Sequence, residues 1–287
     1  MNGERPPHSH SAPQPQPDAD HLIPREGWHV IHLFYQVERS HWDLLDEEEK
    51  LEAKTNLTRL VQEIRSTEST QLLTFSMVTP KADIGFMLLT PDLHKANEFE
   101  KRLTQSLGAD ILAPVYSYLS LTELSEYVTT DEMFAQQLKE EHGLAEDSPE
   151  YAERLSEFSS RMKKYNKDKL YPNMPDWPVF CFYNMSKRRH EKNNWYSLDM
   201  ATRRKLMQGH ATVGRRWAGK VRQLITGSTG LDEAEWGVTL FSHTSQDIKE
   251  IVYEMRFDEV SALYAEFGDF YIGIQLALDE LFRRIGL

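Results

Sequence analysis

A histidine stands where the chain's own internal duplicate has a leucine. Ala82-Asp83-Ile84-Gly85-Phe86-Met87-Leu88-Leu89-Thr90 recurs as Ala234-Glu235-Trp236-Gly237-Val238-Thr239-Leu240-Phe241-Ser242, an offset of 152. The same offset sets Gln71-Leu72-Leu73-Thr74 on Gln223-Leu224-Ile225-Thr226, while Trp42-Asp43-Leu44-Leu45-Asp46 matches Trp195-Tyr196-Ser197-Leu198-Asp199 one residue out of step. Carried down the following helix, that register puts His210 opposite Leu57. Two sites with one packing task have diverged from an aliphatic group to an imidazole, so chemistry is sought in the second half.

Leu206, His210, Val213 and Trp217 follow helical spacing, and a histidine on such a stripe is most often a packed, hydrogen-bonded residue. Against that stand the Leu57 comparison and the lack of a His, Cys or carboxylate at i+3 or i+4 to complete a zinc site. Asn194 and Asp199 are the candidates to orient the ring. One imidazole without a protein co-ligand, in an aromatic-rich half with a basic rim, suits an iron porphyrin that carries carboxylates. The rim runs from Lys187 to Arg222, eleven Lys or Arg against Glu191 and Asp199 in a chain of net charge −12. A solvated helix face would look the same, and few aromatics interleave with the basic residues, which disfavours nucleic acid. Tyr183 follows Phe182 as Tyr35 follows Phe34, and Gln223 matches Gln71, so comparing the halves marks neither as functional.

The elements that must position these residues come in the same order in both halves. Trp28 to Phe34 alternates as a strand, Asp46 to Arg65 reads as a helix burying Leu57, Leu60, Val61 and Ile64, then come strands at Gln71 to Val78 and Ile84 to Leu89. A helix at Leu93 to Leu107 and a strand at Val115 to Leu121 complete β-α-β-β-α-β. The second half repeats this with Val179 to Tyr183, a helix at Met200 to Trp217, strands at Val221 to Gly227 and Trp236 to Phe241, and a helix at Ser245 to Met255. A last strand precedes a helix at Leu276 to Ile285. The fold class is therefore α+β, two tandem ferredoxin-like modules of the dimeric α+β barrel type. The expected segments are a Pro-rich tail over 1–22, a module over 23–127, an insert over 128–178 and a module over 179–287. In the insert, Thr129 with Glu132 resembles a capping box, and Ser148-Pro149-Glu150 an N-cap with a first-turn proline. Lys169 to Pro178 is too rich in proline for regular structure and is expected as an ordered loop.

The 287 residues, 40% hydrophobic, suffice for two cores. The single cysteine, Cys181, excludes an internal disulfide framework, and no stretch approaches a membrane span. Met1 to Asp20 carries five prolines and almost no apolar residue, so no signal peptide is read there and disorder is expected. A reducing cytoplasm fits these features.

Phe182-Tyr183-Asn184-Met185-Ser186-Lys187-Arg188-Arg189, Asn194-Trp195-Tyr196 and His210-Ala211-Thr212-Val213-Gly214-Arg215 resemble the signature of the chlorite dismutase superfamily. Ile225-Thr226-Gly227-Ser228-Thr229-Gly230, Glu235 to Phe241 and Tyr253-Glu254-Met255-Arg256-Phe257-Asp258-Glu259 resemble its coproheme decarboxylase branch. The resemblance runs from Trp28 to Leu287, weakly in the insert. It implies hydrogen peroxide-dependent removal of two carboxyl groups from the propionates of iron coproporphyrin III (coproheme), giving heme b at the end of coproporphyrin-dependent heme biosynthesis. The porphyrin is substrate and redox centre together. By motif position His210 is the iron ligand and Tyr183 the residue oxidised to a radical that attacks the first propionate. Lys187 sets an ammonium beside the reacting carboxylate. Arg256 and Ser261 anchor uncleaved propionates, Lys169 takes the place of a common arginine, and Met185 lines the pocket. Gln223 falls at the distal position, where chlorite dismutases have an arginine, with Arg222 one residue away. Asn184 and Ala211 depart from a usual proline and glycine, and Lys169 grips a carboxylate less well than arginine does. The family also implies a homopentamer and a transient contact with the ferrochelatase that supplies coproheme. The alternatives are a chlorite dismutase and a heme-binding peroxidase-like or sensor protein of the same superfamily.

Overall fold

The computed structural model describes residues 22–287, so the expectation of a disordered tail falls almost wholly outside the described residues. The first half contains β1 (His29–Val37), α1 (Arg39–Trp42), α2 (Glu47–Ser66), β2 (Gln71–Met77), β3 (Ile84–Thr90), α3 (Leu93–Gln105) and β4 (Leu112–Thr122). Two insert helices follow, α4 (Asp131–Glu140) and α5 (Pro149–Leu170). The second half contains β5 (Val179–Lys187), α6 (Met200–Arg216), β6 (Val221–Gly227), β7 (Trp236–Ser242), α7 (Ser245–Met255), α8 (Glu259–Tyr264), β8 (Ala265–Gln275) and α9 (Leu278–Ile285). No helix among the described residues is long and apolar enough to cross a membrane.

Each half orders its strands as a ferredoxin-like sheet, β4-β1-β3-β2 and β8-β5-β7-β6, and the two join edge to edge into one closed antiparallel barrel. The seams are short: Phe75 to Met77 pairs with Gln275 to Gly273, and Leu121 and Thr122 pair with Gly227 and Thr226. Closure removes the four free edges that separate sheets would expose. Strand alternation then sends one set of side chains inward and the other toward the helices. The inward set, Phe34, Phe75, Tyr118, Phe180, Phe182 and Phe241 among others, forms an aromatic interior shared by both halves. His32 lies in it, stacked 4.0 Å from Phe182 with its Nε2 2.9 Å from Thr239 Oγ1, and burial lowers its pKa to about 3. Gly237 is required here, because a Cβ would lie 2.7 Å from the Tyr118 ring.

Outside the barrel the halves differ. On the first, α2 and α3 bury Leu57, Leu60, Val61, Ile64, Phe99 and Leu103 on the sheet, and α9 crosses from the C-terminus to add Leu281, Phe282 and Ile285 to that same core. On the second, α6 packs against α7 and α8 rather than down on the strands, and only Val213 among its residues is buried.

Local signals explain most boundaries. Asp46 accepts N–H bonds from Glu48 and Glu49 while Glu49 accepts one from Asp46 N–H, a complete capping box. Asp199 caps α6 by accepting from Thr202 N–H at 2.9 Å. Ser148 and Pro149 open α5 as expected, but α4 is capped by Thr130, not Thr129, through Met133 N–H. The loop expected from Lys169 begins only at Tyr171, since α5 runs to Leu170 before Pro172 ends regular structure. The strand expected at Val115 starts at Leu112, and the short α8, unforeseen in the sequence, fills the stretch before β8.

Candidate functional site

Because both halves share one strand order, pairing registers fix which residues are equivalent. Leu33 pairs with Phe86 as Tyr183 pairs with Val238, and Leu72 pairs with Leu88 as Gln223 pairs with Leu240. The structural counterparts of Tyr183 and Gln223 are thus Leu33 and Leu72, not Tyr35 and Gln71. Val37 corresponds to Lys187 by the same register. Their main-chain N–H groups donate to equivalent carboxylates, Asp83 at 2.8 Å and Glu235 at 2.7 Å. Leu57 and His210 each lie eleven residues after their caps, Asp46 and Asp199, which keeps that pairing. Four polar side chains replace four buried aliphatic ones, three on the helix-covered face of the second sheet and His210 on the helix above it.

That face of the sheet is a floor above which α6 stands as a roof. One row across it carries Gln223, Leu240 and Cys181, the next Ile225, Val238, Tyr183 and Phe270, and the next Gly227, Trp236, Met185 and Phe267. A register shift between Tyr183 and Met185 marks a bulge in β5 against β8. Lys187 continues the same face. Strand spacing sets Tyr183 and Gln223 roughly 12 Å apart between Cα atoms. Leu224 belongs to the barrel interior, so alternation turns its neighbours Gln223 and Ile225 toward α6. A Cβ on Gly214 of α6 would lie 3.5 Å from Gln223 Nε2. Arg222, on the other side of the strand, is exposed.

His210 hangs from the roof. Its Nδ1 lies 2.9 Å from Asp258 Oδ2, and the Ser261 hydroxyl donates to the same oxygen at 2.8 Å while Ser261 N–H donates to Oδ1 as the cap of α8. Burial works to raise the Asp258 pKa, but the bonds from His210 and Ser261 outweigh it and hold the carboxyl below its ordinary range. Nδ1–H committed to a carboxylate leaves Nε2 as the nitrogen available to a ligand and makes it more basic. Neither Asn194 nor Asp199 orients the ring: Asn194 accepts from Tyr196 N–H and Asp199 caps α6. Asp258 stands within the Tyr253 to Glu259 motif, but only the fold brings it 48 positions back to the histidine. Among the described residues no three His, Cys, Asp or Glu side chains gather to cage a bare metal ion. A porphyrin brings its own nitrogens to the iron and asks the protein for one imidazole, which fits this donor set.

Tyr183 is 7% exposed, its ring stacked 4.4 Å from Phe270, and burial pushes its hydroxyl pKa well up. The Arg256 guanidinium sits 4.4 Å over Phe267, itself 5.7 Å from Tyr183, and its charge acts on the phenol. Lys187 is buried with Nζ 4.6 Å from the Trp195 ring centre. Burial lowers its pKa to about 8, against the opposing pull of Asp258 and Glu235. Met185 is half-buried on the floor, and Ser261 holds Asp258 rather than facing the cleft alone. Lys169, in the last turn of α5, has its pKa lowered by burial, against the opposing charge of Glu123, a carboxylate that sequence reasoning missed.

The chain as a whole has relatives among known proteins. The family model described as chlorite dismutase matches residues 50–276. A heme-binding protein from Thermus thermophilus is similar at 37% identity, with 93% of this chain and 100% of that one covered and a TM-score of 0.76. Chlorite dismutase from Candidatus Nitrospira defluvii shares the fold at 16% identity, as an arginine-to-lysine variant (92% and 97% covered, TM-score 0.69) and in complex with imidazole (92% and 97% covered, TM-score 0.68).

Proposed function

The chain belongs to the chlorite dismutase family, and from that premise we propose that it converts coproheme to heme b with hydrogen peroxide. The observation that carries this is the make-up of the cleft floor: a phenol, a buried amine and a neutral amide, with the arginine next to Gln223 on the other face of its strand. Iron, once bound, supplies peroxide reduction. Each round takes two electrons, a hydrogen and a carboxyl group from one propionate, releasing CO2 and leaving a vinyl group, while one peroxide and one proton become two waters.

The protein's part is positional and protonic. His210, held by Asp258, ligates the iron through Nε2. Tyr183 lies buried beside aromatic rings, where its phenol gives an electron and a proton and then recovers a hydrogen atom from the propionate. Lys187, with a pKa near neutrality, pairs with the reacting carboxylate when charged and passes a proton when needed. Arg256 and Lys169 take the remaining carboxylates, Ser261 keeps both of its donors on Asp258 and so steadies the partner of His210 rather than a propionate, and Met185 lines the porphyrin face. Gln223 offers no fixed charge to hold chlorite, which weighs against the dismutase alternative. A homopentamer receiving its substrate from a ferrochelatase in the cytoplasm completes the proposal.

The test is anaerobic loading with iron coproporphyrin III, titration with peroxide and mass analysis of the porphyrin. A three-propionate species and then heme b are expected, and Tyr183→Phe should bind the porphyrin but leave it intact. Sustained oxygen release from chlorite, with coproheme unchanged under peroxide, would overturn the proposal in favour of chlorite chemistry.

A further inference from the structure

Asn184 follows Tyr183 on β5 and turns the other way, into the barrel, as Phe182 does. Its counterpart in the first half is Phe34, since Phe34 pairs with Gly85 as Asn184 pairs with Gly237. An amide thus stands where the twin has a buried ring, a further exchange of apolar for polar, here on the inward face. Its Nδ2 donates to the hydroxyl of Tyr116, which reaches across from β4, and the Tyr116 ring stacks on Tyr271 of β8 with centroids 5.1 Å apart. A Cβ on Gly268 of β8 would lie 1.7 Å from Asn184 Oδ1 and 2.7 Å from its Cγ, so the amide rests on bare backbone.

That backbone lies in the bulge between the two strands. Tyr183 to Met185 spans two steps of β5, while their partners, Phe270 and Phe267, lie three steps apart on β8. Residues three apart on a regular strand point to opposite faces. The extra residue instead puts both rings on one face, where they flank Tyr183 at 5.7 Å for Phe267 and 4.4 Å for Phe270. The first half has the same irregularity but sets Ser117 and Pro114 at those two places. Rings and amide therefore occur together, in the half that has a phenol to aim. We propose that Asn184 is a positioning residue for Tyr183: bonded to Tyr116 and seated on Gly268, it holds the bulge so that both phenylalanines brace the phenol. The inference rests on the proposed role of Tyr183 and adds to it the pair that aims it. A side chain needed only to fill space could be the phenylalanine of the first half, whereas a half-buried amide needs a partner, and its bond is directional.

The experiment places fluorotyrosine at position 183 of the full chain and reads it by fluorine NMR without porphyrin. Wild type is expected to give one narrow resonance displaced by the two flanking rings. Tyr116→Phe removes only a hydroxyl and Asn184→Leu only the polarity of the amide. Each should move the resonance, and the double variant no further than either, because one bond is lost in all three. Loaded with iron coproporphyrin III, the unlabelled variants should bind it as wild type does but convert it with peroxide about 100-fold more slowly, as a misplacement of about 1 Å does. A resonance unmoved in both single variants overturns the inference. A wild type that leaves coproheme intact removes the decarboxylase reading instead, while the fluorine resonance still decides whether Asn184 positions the phenol.

Discussion

The two halves of this barrel are the same device used for opposite ends. In the first, Leu33, Val37, Leu57 and Leu72 meet between helix and sheet and are all buried, and α9 closes over them. In the second, the same four positions carry Tyr183, Lys187, His210 and Gln223, and the helix above them stands off the strands. Burying an aliphatic side chain contributes about 1.5–3 kcal/mol, whereas burying an amine or phenol without full partners costs stability. The division is physically sensible: one copy supplies the packing that lets the other hold groups a core would reject.

The largest expected effect comes from making the halves alike. His210→Leu should abolish the imidazole-ligated iron spectrum and peroxide-driven turnover while leaving thermal stability equal or higher. Leu57→Ala, at the counterpart, should cost about 2–5 kcal/mol of unfolding free energy and leave porphyrin binding intact in the folded protein. Denaturant titrations and iron spectra on both variants decide the matter, and equal damage to binding from Leu57→Ala would break the division of labour.

A smaller effect is expected from Asp258→Ala, which leaves His210 in place but frees its Nδ1. Loss of such an outer partner typically costs 10–100-fold in metal affinity or activity, and iron-imidazole stretching and KM against kcat are the readouts. Asp199→Ala, which removes a cap of about 1 kcal/mol, should leave the iron spectrum unmoved.

The smallest effect concerns Lys187. Its pKa is about 8 in the fold against an ordinary value of 10.5. Between those values the unfolded chain holds more of the proton than the folded one, so wild-type stability rises as pH climbs through that window. Lys187→Met should therefore be more stable than wild type at pH 7, by on the order of 3 kcal/mol, with the gain gone by the ordinary lysine pKa. A difference that does not depend on pH would mean the ammonium is not desolvated.

The order of elements was legible because hydrophobic period and caps are local. Leu57 and His210 could be paired because each sits a fixed count from an aspartate cap. Tyr183 and Gln223 were mispaired for a physical reason: loops and strand ends differ slightly between halves, so the true offset is 150 at β5, 151 at β6 and 152 at β7. A repeated Phe-Tyr and a repeated Gln-Leu then attract the wrong register, and a slip of one or two residues along a strand swaps faces or rows. Asp258 was illegible as the partner of His210, since 48 positions separate them and only the packing of α6 on α8 brings them together.

Barrel closure and the reach of α9 also govern how the chain comes to be folded. β2 pairs at its edge with β8, whose residues come far later along the chain, and the first core waits for Leu281, Phe282 and Ile285. Contacts of that sequence separation slow folding and make it a whole-chain event. An N-terminal fragment emerging from the ribosome would carry an open sheet edge and an unsealed apolar face, a target for chaperones until the last helix arrives. Truncation at the C-terminus would unseat the half made first, far along the chain from the cut.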